Sequence, residues 1–384
     1  MATVETSRQD DIAVVAFANP PVNALSQAVR AGLAEAFAAA NADAGVRAIV
    51  LTAKGRAFSA GADITEFKAP SKEPRLPALI DSIEASAKPV VAAINGLALG
   101  GGLEMVLGCH YRVAGKNVSQ LGLPEVKIGI VPGAGGTQRL PRAVGVEAAL
   151  DMIVSGTPID AARAHALGLV DRLAEGDVVA TAVAYAKELL AAGKGPSRTS
   201  ERTIDPAKVP AGIFDAKRKT LGRHPSGPLA PRNCIEAVAA ATTLPFREGV
   251  AKERALFDEC AASPYAKALQ YAFFAERQTQ NIPGLDAGIT PRTVNRVGII
   301  GAGTMGSGIA LAFLNAGIPV TLVETQRAAL DRGTKHIRAT IESAVQRGRI
   351  AADEGKKRLA ALTSSLDLQD LADVDLAIEA VFED

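Results

Sequence analysis

Between residues 12 and 96 the chain carries three short runs dominated by apolar residues: IAVVAF (12–17), VRAIVLTA (46–53) and PVVAAING (89–96). Runs of this length, rich in valine, isoleucine and alanine, read as strands with buried faces. Between the first two lies SQAVRAGLAEAFAAANAD, which has a helical pattern. Ser26 is placed as its N-cap, and Leu33, Ala36 and Phe37 fall on one face. Strands alternating with helices make an α/β pattern, and it continues to about residue 190. At 384 residues the chain exceeds one ordinary core, so two or three domains are expected.

From about residue 193 the texture changes. GKGPSRTS and RHPSGPLAPRN are Gly/Pro-rich breakers, and CIEAVAAATTL, REGVAKERALFDECAAS and YAKALQYAFFAERQTQ read as helices. Their apolar faces must pack on something, which argues for a helical connector rather than a floppy tether. NIPGLDAGITPRT is a second break, and VNRVGIIGAGTMGSGIALAFLNAGIPVTLVET then begins a new βαβ unit. The segments 1–192, 193–290 and 291–384 follow from these breaks.

Lys+Arg (42) and Asp+Glu (41) nearly cancel, which argues against nucleic acid or a membrane surface as partner. The most apolar stretch, 89–108, is interrupted by Asn95, Glu104 and five glycines, so a membrane helix is not expected there. The three cysteines, Cys109, Cys234 and Cys260, are odd in number and far apart. They read as small core residues of a reducing compartment rather than a disulfide framework. MATVETSRQD shows no signal peptide.

FSAGAD (58–63) and NGLALGGGLEM (95–105) place small residues where a strand passes into a turn or helix. Glycine there lets a substrate approach the backbone closely. Two such turns together can aim two peptide N–H groups at one point, as an oxyanion hole requires when a thioester carbonyl becomes an enolate. Taken alone, each reads more readily as an ordinary tight turn. Glu104 and Glu125 stand in apolar, glycine-rich surroundings where a carboxylate needs a purpose or a partner. Taken singly, each could be a solvated residue or an ion-pair partner of Arg112 or Arg139.

The order FSAGAD, GGGLE, LPE, PGAGGTQRL resembles the crotonase superfamily, and within it the enoyl-CoA hydratases, in sequence and spacing. The resemblance implies a crotonase-type ββα spiral fold in an α/β class. Ala62 and Gly101 would donate the two oxyanion-hole N–H groups, and Glu104 and Glu125 would hold the water added across the 2,3-double bond. The Gly133 N–H would help position that water, and Ala60, Asp63 and Gly100 would line the thioester. The four histidines are scattered and no metal is implied. Superfamily relatives with other chemistry often lack one glutamate. With both present, hydration is the first expectation, isomerisation of 3-enoyl-CoA through Glu125 the alternative, and a non-catalytic acyl-CoA- or NAD-binding role the third.

VGIIGAGTMGSGIA carries G-x-G-x-x-G as Gly301, Gly303 and Gly306, after a β run (294–300) and at the head of a helical run (304–315). That context places a pyrophosphate on a helix N-terminus, with Thr304 and Met305 beside it. Gly317 reads as the helix stop. Glu324 lies 23 residues after Gly301, where an acid meets ribose hydroxyls and favours NAD over NADP. This segment is similar to the NAD-binding domain of 3-hydroxyacyl-CoA dehydrogenases, a partial Rossmann-type unit. In that family the acid next to the end of DLAIEAVFED, here Glu383, lies near the nicotinamide.

The order hydratase, helical linker, NAD domain resembles the multifunctional enzymes type 1 of fatty-acid β-oxidation. That implies acyl-CoA thioesters as substrates and NAD as cofactor, with coenzyme A entering only as part of the substrate. It also implies a cytoplasmic location if bacterial and a peroxisomal one if eukaryotic. Stand-alone relatives assemble through helices after the catalytic core. Here the connector could cover that surface, which suits a monomer. The dehydrogenase His/Glu pair and the substrate-binding helical domains of the family lie beyond residue 384, so no dehydrogenase activity is expected of this stretch. His336 reads as a surface helix residue. Lys68 and Lys72 could meet coenzyme A phosphates, though solvated surface lysines are the safer reading.

Overall fold

The computed structural model describes residues 3–63, 66, 72–222, 227–279, 282, 284 and 289–382. The chain divides into two compact units, Met1–Asn281 and Ile282–Asp384. Strands of the first unit are β1 (Thr3–Gln9), β2 (Ile12–Ala18), β3 (Ala48–Ala53), β4 (Ala57–Ser59), β5 (Val90–Ile94), β6 (Leu97–Leu99), β7 (Tyr111–Gly115), β8 (Leu121–Gly122) and β9 (Arg172–Ala174). They form a six-stranded sheet of order β1-β2-β3-β5-β7-β9 and a three-stranded sheet of order β4-β6-β8. Among the strand pairs of the described residues, only β1–β2 is antiparallel.

From β3 onward, successive strands alternate between the sheets. Each of the pairs β3–β4 and β5–β6 then leads to a helix, Leu76–Glu84 and Gly101–Gly108 respectively. After β7–β8 come a 3-10 turn, Glu125–Ile128, and the Gly136–Val144 helix. This repeat is the expected ββα spiral. The apolar runs form the strands because both faces are covered: every residue of β3 and β5 is buried. The Gln27–Ala42 helix buries Leu33 and Phe37 against one face of the large sheet, and the Val178–Ala191 helix covers the other. Ser26 occupies the N-cap position but makes no capping hydrogen bond with its side chain.

The connector helices pack into the core of the first unit. Cys234, Ile235, Ala237 and Val238 of the Leu229–Thr243 helix are fully buried, and so is Cys260 of the Phe246–Ala262 helix. Burying a side chain such as Ile235 or Val238 contributes roughly 1.5–3 kcal/mol, enough to fix these helices in place. All three cysteines are free and buried.

The second unit has a parallel sheet of order β12-β11-β10-β13, from β10 (Val297–Ile300), β11 (Val320–Val323), β12 (Leu362–Ser365) and β13 (Leu376–Glu379). The Thr304–Asn315 helix connects β10 to β11 and ends before Gly317, whose φ is +76°. His336 lies exposed on the Arg327–Gln346 helix.

Candidate active site

Gly100 organises the site of the first unit. Its backbone (φ 53°, ψ −130°) is one that only glycine adopts readily, and it turns the chain from β6 into the Gly101–Gly108 helix. A Cβ on Gly100 would lie 2.9 Å from Glu125 Oε1, so the missing side chain is where the Glu125 carboxyl sits. One turn into the helix is Glu104, whose N–H donates to the Gly100 carbonyl at 2.9 Å. The structure therefore brings both sequence-identified glutamates to one glycine.

Their surroundings differ. Glu104 is 3% exposed, and its Oε1 accepts the N–H groups of Ala134 (2.7 Å) and Gly136 (2.8 Å). Burial pushes its pKa up, while those two N–H groups and the Arg139 charge pull it back. Glu125 opens the 3-10 turn, and its Oε2 is sealed from solvent with no hydrogen-bond partner among the described residues. Burial first, and the Glu104 charge second, hold it well above the carboxylate range. Two acids whose environments separate their proton affinities can serve as base and acid at one centre.

The turn after β4 closes on the same place. Gly101 and Ala62 meet here: a Cβ on Gly101 would lie 3.2 Å from the Ala62 nitrogen. Gly101 opens its helix, where N–H groups have no partner within the helix. Ala60 and Asp63 flank this turn, half-buried, and the Ala60 N–H is already given to the Val22 carbonyl at 2.9 Å. Gly133 leads into the loop that holds Glu104.

Neither arginine weighed as a glutamate partner forms an ion pair with Glu104 or Glu125. Arg139 is 1% exposed and pairs with Glu84 (2.7 Å) and Asp81 (2.9 Å), while its Nη1 donates to the Ala134 carbonyl. Arg112 donates to the carbonyls of Leu169 and Cys109. Lys72 is exposed, and Lys68 lies outside the described residues.

In the second unit, Gly301 (φ +105°) turns β10 into the Thr304–Asn315 helix, and a Cβ there would come within 2.5 Å of the Ala380 carbonyl oxygen. Space at Gly303 is open, and Thr304 and Met305 are exposed at the helix head. Glu324 follows β11, and its carboxylate accepts the N–H groups of Ala302 (3.1 Å) and Thr325 (2.8 Å). Those bonds, the Ala302 one foremost, hold its pKa below the usual range. An open helix head with an ionised acid at its rim suits a pyrophosphate and a ribose. Glu383 lies outside the described residues.

A profile described as "Enoyl-CoA hydratase/isomerase" matches residues 7–206. The chain belongs to the enoyl-CoA hydratase/isomerase family. A second profile, "3-hydroxyacyl-CoA dehydrogenase, NAD binding domain", matches residues 296–384. The chain is 42% identical over 378 residues to the "Peroxisomal bifunctional enzyme" of Danio rerio, covering 97% of this chain and 52% of that one. It is 40% identical over 385 residues to the human protein of the same name, covering 99% and 53%. A "Peroxisomal fatty acid beta-oxidation multifunctional protein" from Oryza sativa subsp. japonica is 39% identical over 386 residues, covering 97% and 53%. The chain thus spans about half the length of the curated relatives it matches. Among solved structures, an enoyl-CoA hydratase/isomerase from Pseudoalteromonas atlantica superposes with TM-score 0.51 at 28% identity, covering 71% of this chain and 97% of the other. These likenesses confirm the crotonase-type fold followed by a Rossmann NAD-binding domain.

One buried glutamate, Glu253 of the Phe246–Ala262 helix, was not singled out in the sequence. It touches the loop that holds Glu104. The signal was an acid amid REGVAKERALFDECAAS, where charged residues are frequent and one buried member does not stand out.

Proposed function

We propose that the first unit adds water to trans-2-enoyl-CoA to give 3-hydroxyacyl-CoA, with Glu104 as base and Glu125 as proton donor. The observation that carries this is the asymmetry of the pair: two N–H groups on the Glu104 carboxylate, and an unpartnered Glu125 Oε2 held toward its neutral form. Glu104 takes a proton from water as the water oxygen bonds to C3. The electron pair of the double bond moves toward the thioester oxygen, where the Ala62 and Gly101 N–H groups receive the charge. Glu125 delivers its proton to C2 as the carbonyl re-forms. Water has then been added in full, and proton exchange from Glu104 to Glu125 restores the start. Gly133 would orient the water, with Ala60, Asp63 and Gly100 lining the thioester.

We further propose that the second unit binds NAD. Gly301, Gly303 and Gly306 would let the pyrophosphate onto the helix head beside Thr304 and Met305, and Glu324 would take the ribose hydroxyls. NAD supplies a hydride acceptor when bound. The product of hydration is a 3-hydroxyacyl thioester, the substrate class named by the matching dehydrogenase profile. This pairing supports a place in fatty-acid β-oxidation, in peroxisomes for a eukaryotic source. The test is loss of the conjugated absorbance of trans-2-enoyl-CoA when the protein is added, abolished by Glu104→Gln or Glu125→Gln. Full rates in both variants would overturn the assignment.

A further inference from the structure

The Phe246–Ala262 helix lies outside the matched region 7–206, yet it enters the acid/base site. Glu253, 1% exposed, accepts the Gly135 N–H on Oε1 (2.7 Å). Its Oε2 accepts the Thr137 N–H (2.9 Å) and the Thr137 hydroxyl (2.5 Å). The Ala134 and Gly136 N–H groups go to Glu104. Four successive N–H groups of one loop are therefore dealt alternately to two carboxylates, one on each side. One turn further along the same helix, Phe257 packs on the loop: a Cβ on Gly133 would lie 2.7 Å from its ring. Gln138 Nε2 donates to the Thr137 hydroxyl at 2.9 Å and so orients its proton toward Glu253.

Glu253 forms no salt bridge among the described residues. A buried carboxylate without a cation is costly, and an apolar residue would fill the space at less expense. All three of its hydrogen bonds end on the loop that fixes Glu104. We propose that Glu253 is a positioning residue of the hydratase site, clamping residues 134–137 so that Ala134 and Gly136 present their N–H groups to Glu104 and Gly133 faces the water. This rests on the hydratase reading above. It makes a helix of the connector a working part of the active site.

Charge adds a second readout. The groups in electrostatic contact with Glu253 and Glu125 are Glu104, Cys234 and each other, with Arg139 acting on Glu104. Once ionised, as pH rises through about 8, Glu253 helps keep Glu125 protonated, so its removal lets Glu125 ionise at lower pH.

The experiment compares the unchanged chain with Glu253→Gln and Glu253→Asp, reading kcat, KM, the pH profile of kcat, the thermal melt and the infrared carboxyl bands. In the Gln variant an amide N–H must face a loop N–H. A displacement of the order of 1 Å costs roughly 100-fold, so kcat is expected to fall about 10- to 100-fold with KM little changed. The alkaline fall in activity moves to lower pH, and a cooperative melt is retained. The Asp variant keeps the charge and restores the pH limb. Full kcat in the Gln variant overturns the proposal, as does a loss of kcat with an unmoved pH limb and unmoved carboxyl bands. Should the Gln variant fail to fold, Thr137→Val removes the hydroxyl with its bonds to Glu253 and Gln138, leaves the Thr137 N–H bond to Glu253, and must lower kcat in the same sense. Turnover of trans-2-enoyl-CoA by the unchanged chain tests the hydratase reading separately. The carboxyl bands titrate with or without turnover, and 3-enoyl-CoA isomerisation reads the same loop.

Discussion

Substituting Gly136 by alanine perturbs the Glu104 carboxylate with a single carbon atom. Gly136 opens its helix and has no positive φ, so alanine fits its backbone. The added Cβ would lie 2.7 Å from Glu104 Oε1, 2.9 Å from its Cγ and 3.0 Å from Leu123 Cδ1, where ordinary contact begins at 3.4 Å. The carboxylate must therefore retreat by about 0.7 Å, within the range of shifts that overpacking forces on a core. The Gly136 N–H bond, 2.8 Å long, stretches to about 3.5 Å and is lost as a hydrogen bond. If 1 Å of misplacement costs about 100-fold, this retreat predicts a kcat about 10- to 50-fold lower, or roughly 1.4–2.3 kcal/mol of barrier. KM should change little, because in the proposed mechanism the thioester oxygen is held by Ala62 and Gly101. The assay is the loss of enoyl-CoA absorbance at saturating substrate, with Gly176→Ala, which meets nothing within 4 Å, as control. A Gly136→Ala variant with the control's kcat would refute the view that Glu104 works from a position set by this loop.

Two further outcomes follow from the same structure. Glu253 is pushed up to about 8 from 4.5 by burial and by Glu104, so its contribution to stability is complete below 4.5 and lost as pH rises through about 8. The melting temperature of the first unit should fall across that window, less steeply in Glu253→Gln, and a midpoint that rises instead would contradict the burial argument. In the second unit, Gly301→Val puts a branched side chain at φ +105° and against the Ala380 carbonyl. NAD affinity by calorimetry should drop at least about tenfold, and an unchanged Kd would remove the glycine turn from the proposed site.

Local pattern made the strands and the site glycines legible. Continuous apolar runs meant strands covered on both faces, and β2, β3 and β5 lie within a residue or two of the runs at 12–17, 46–53 and 89–96. Glu104 and Glu125 stood out because each is a carboxylate in an apolar, glycine-rich stretch, and because the blocks around them stand in register. Their unequal environments were not legible, because the N–H groups that bind the Glu104 carboxyl come from a loop 30 residues away. Arg139 could be read as a partner of either glutamate, but its guanidinium is taken by Glu84 and Asp81 across the core. Glu253 was hidden for the same reason at greater range: its partners are 116 and 118 residues earlier. Periodicity shows that the connector helices must bury a face, but not which loop lies under it.

The central claim is that Glu104 and Glu125 together move the protons of hydration. Its most direct test is the kcat of trans-2-enoyl-CoA hydration in the unchanged chain, Glu104→Gln and Glu125→Gln, with folding checked by thermal melt. General acid–base groups of this kind contribute about 10²- to 10⁴-fold, so each variant should lose activity in that range while melting cooperatively. A folded Glu125→Gln variant that hydrates at the unchanged rate would contradict the account.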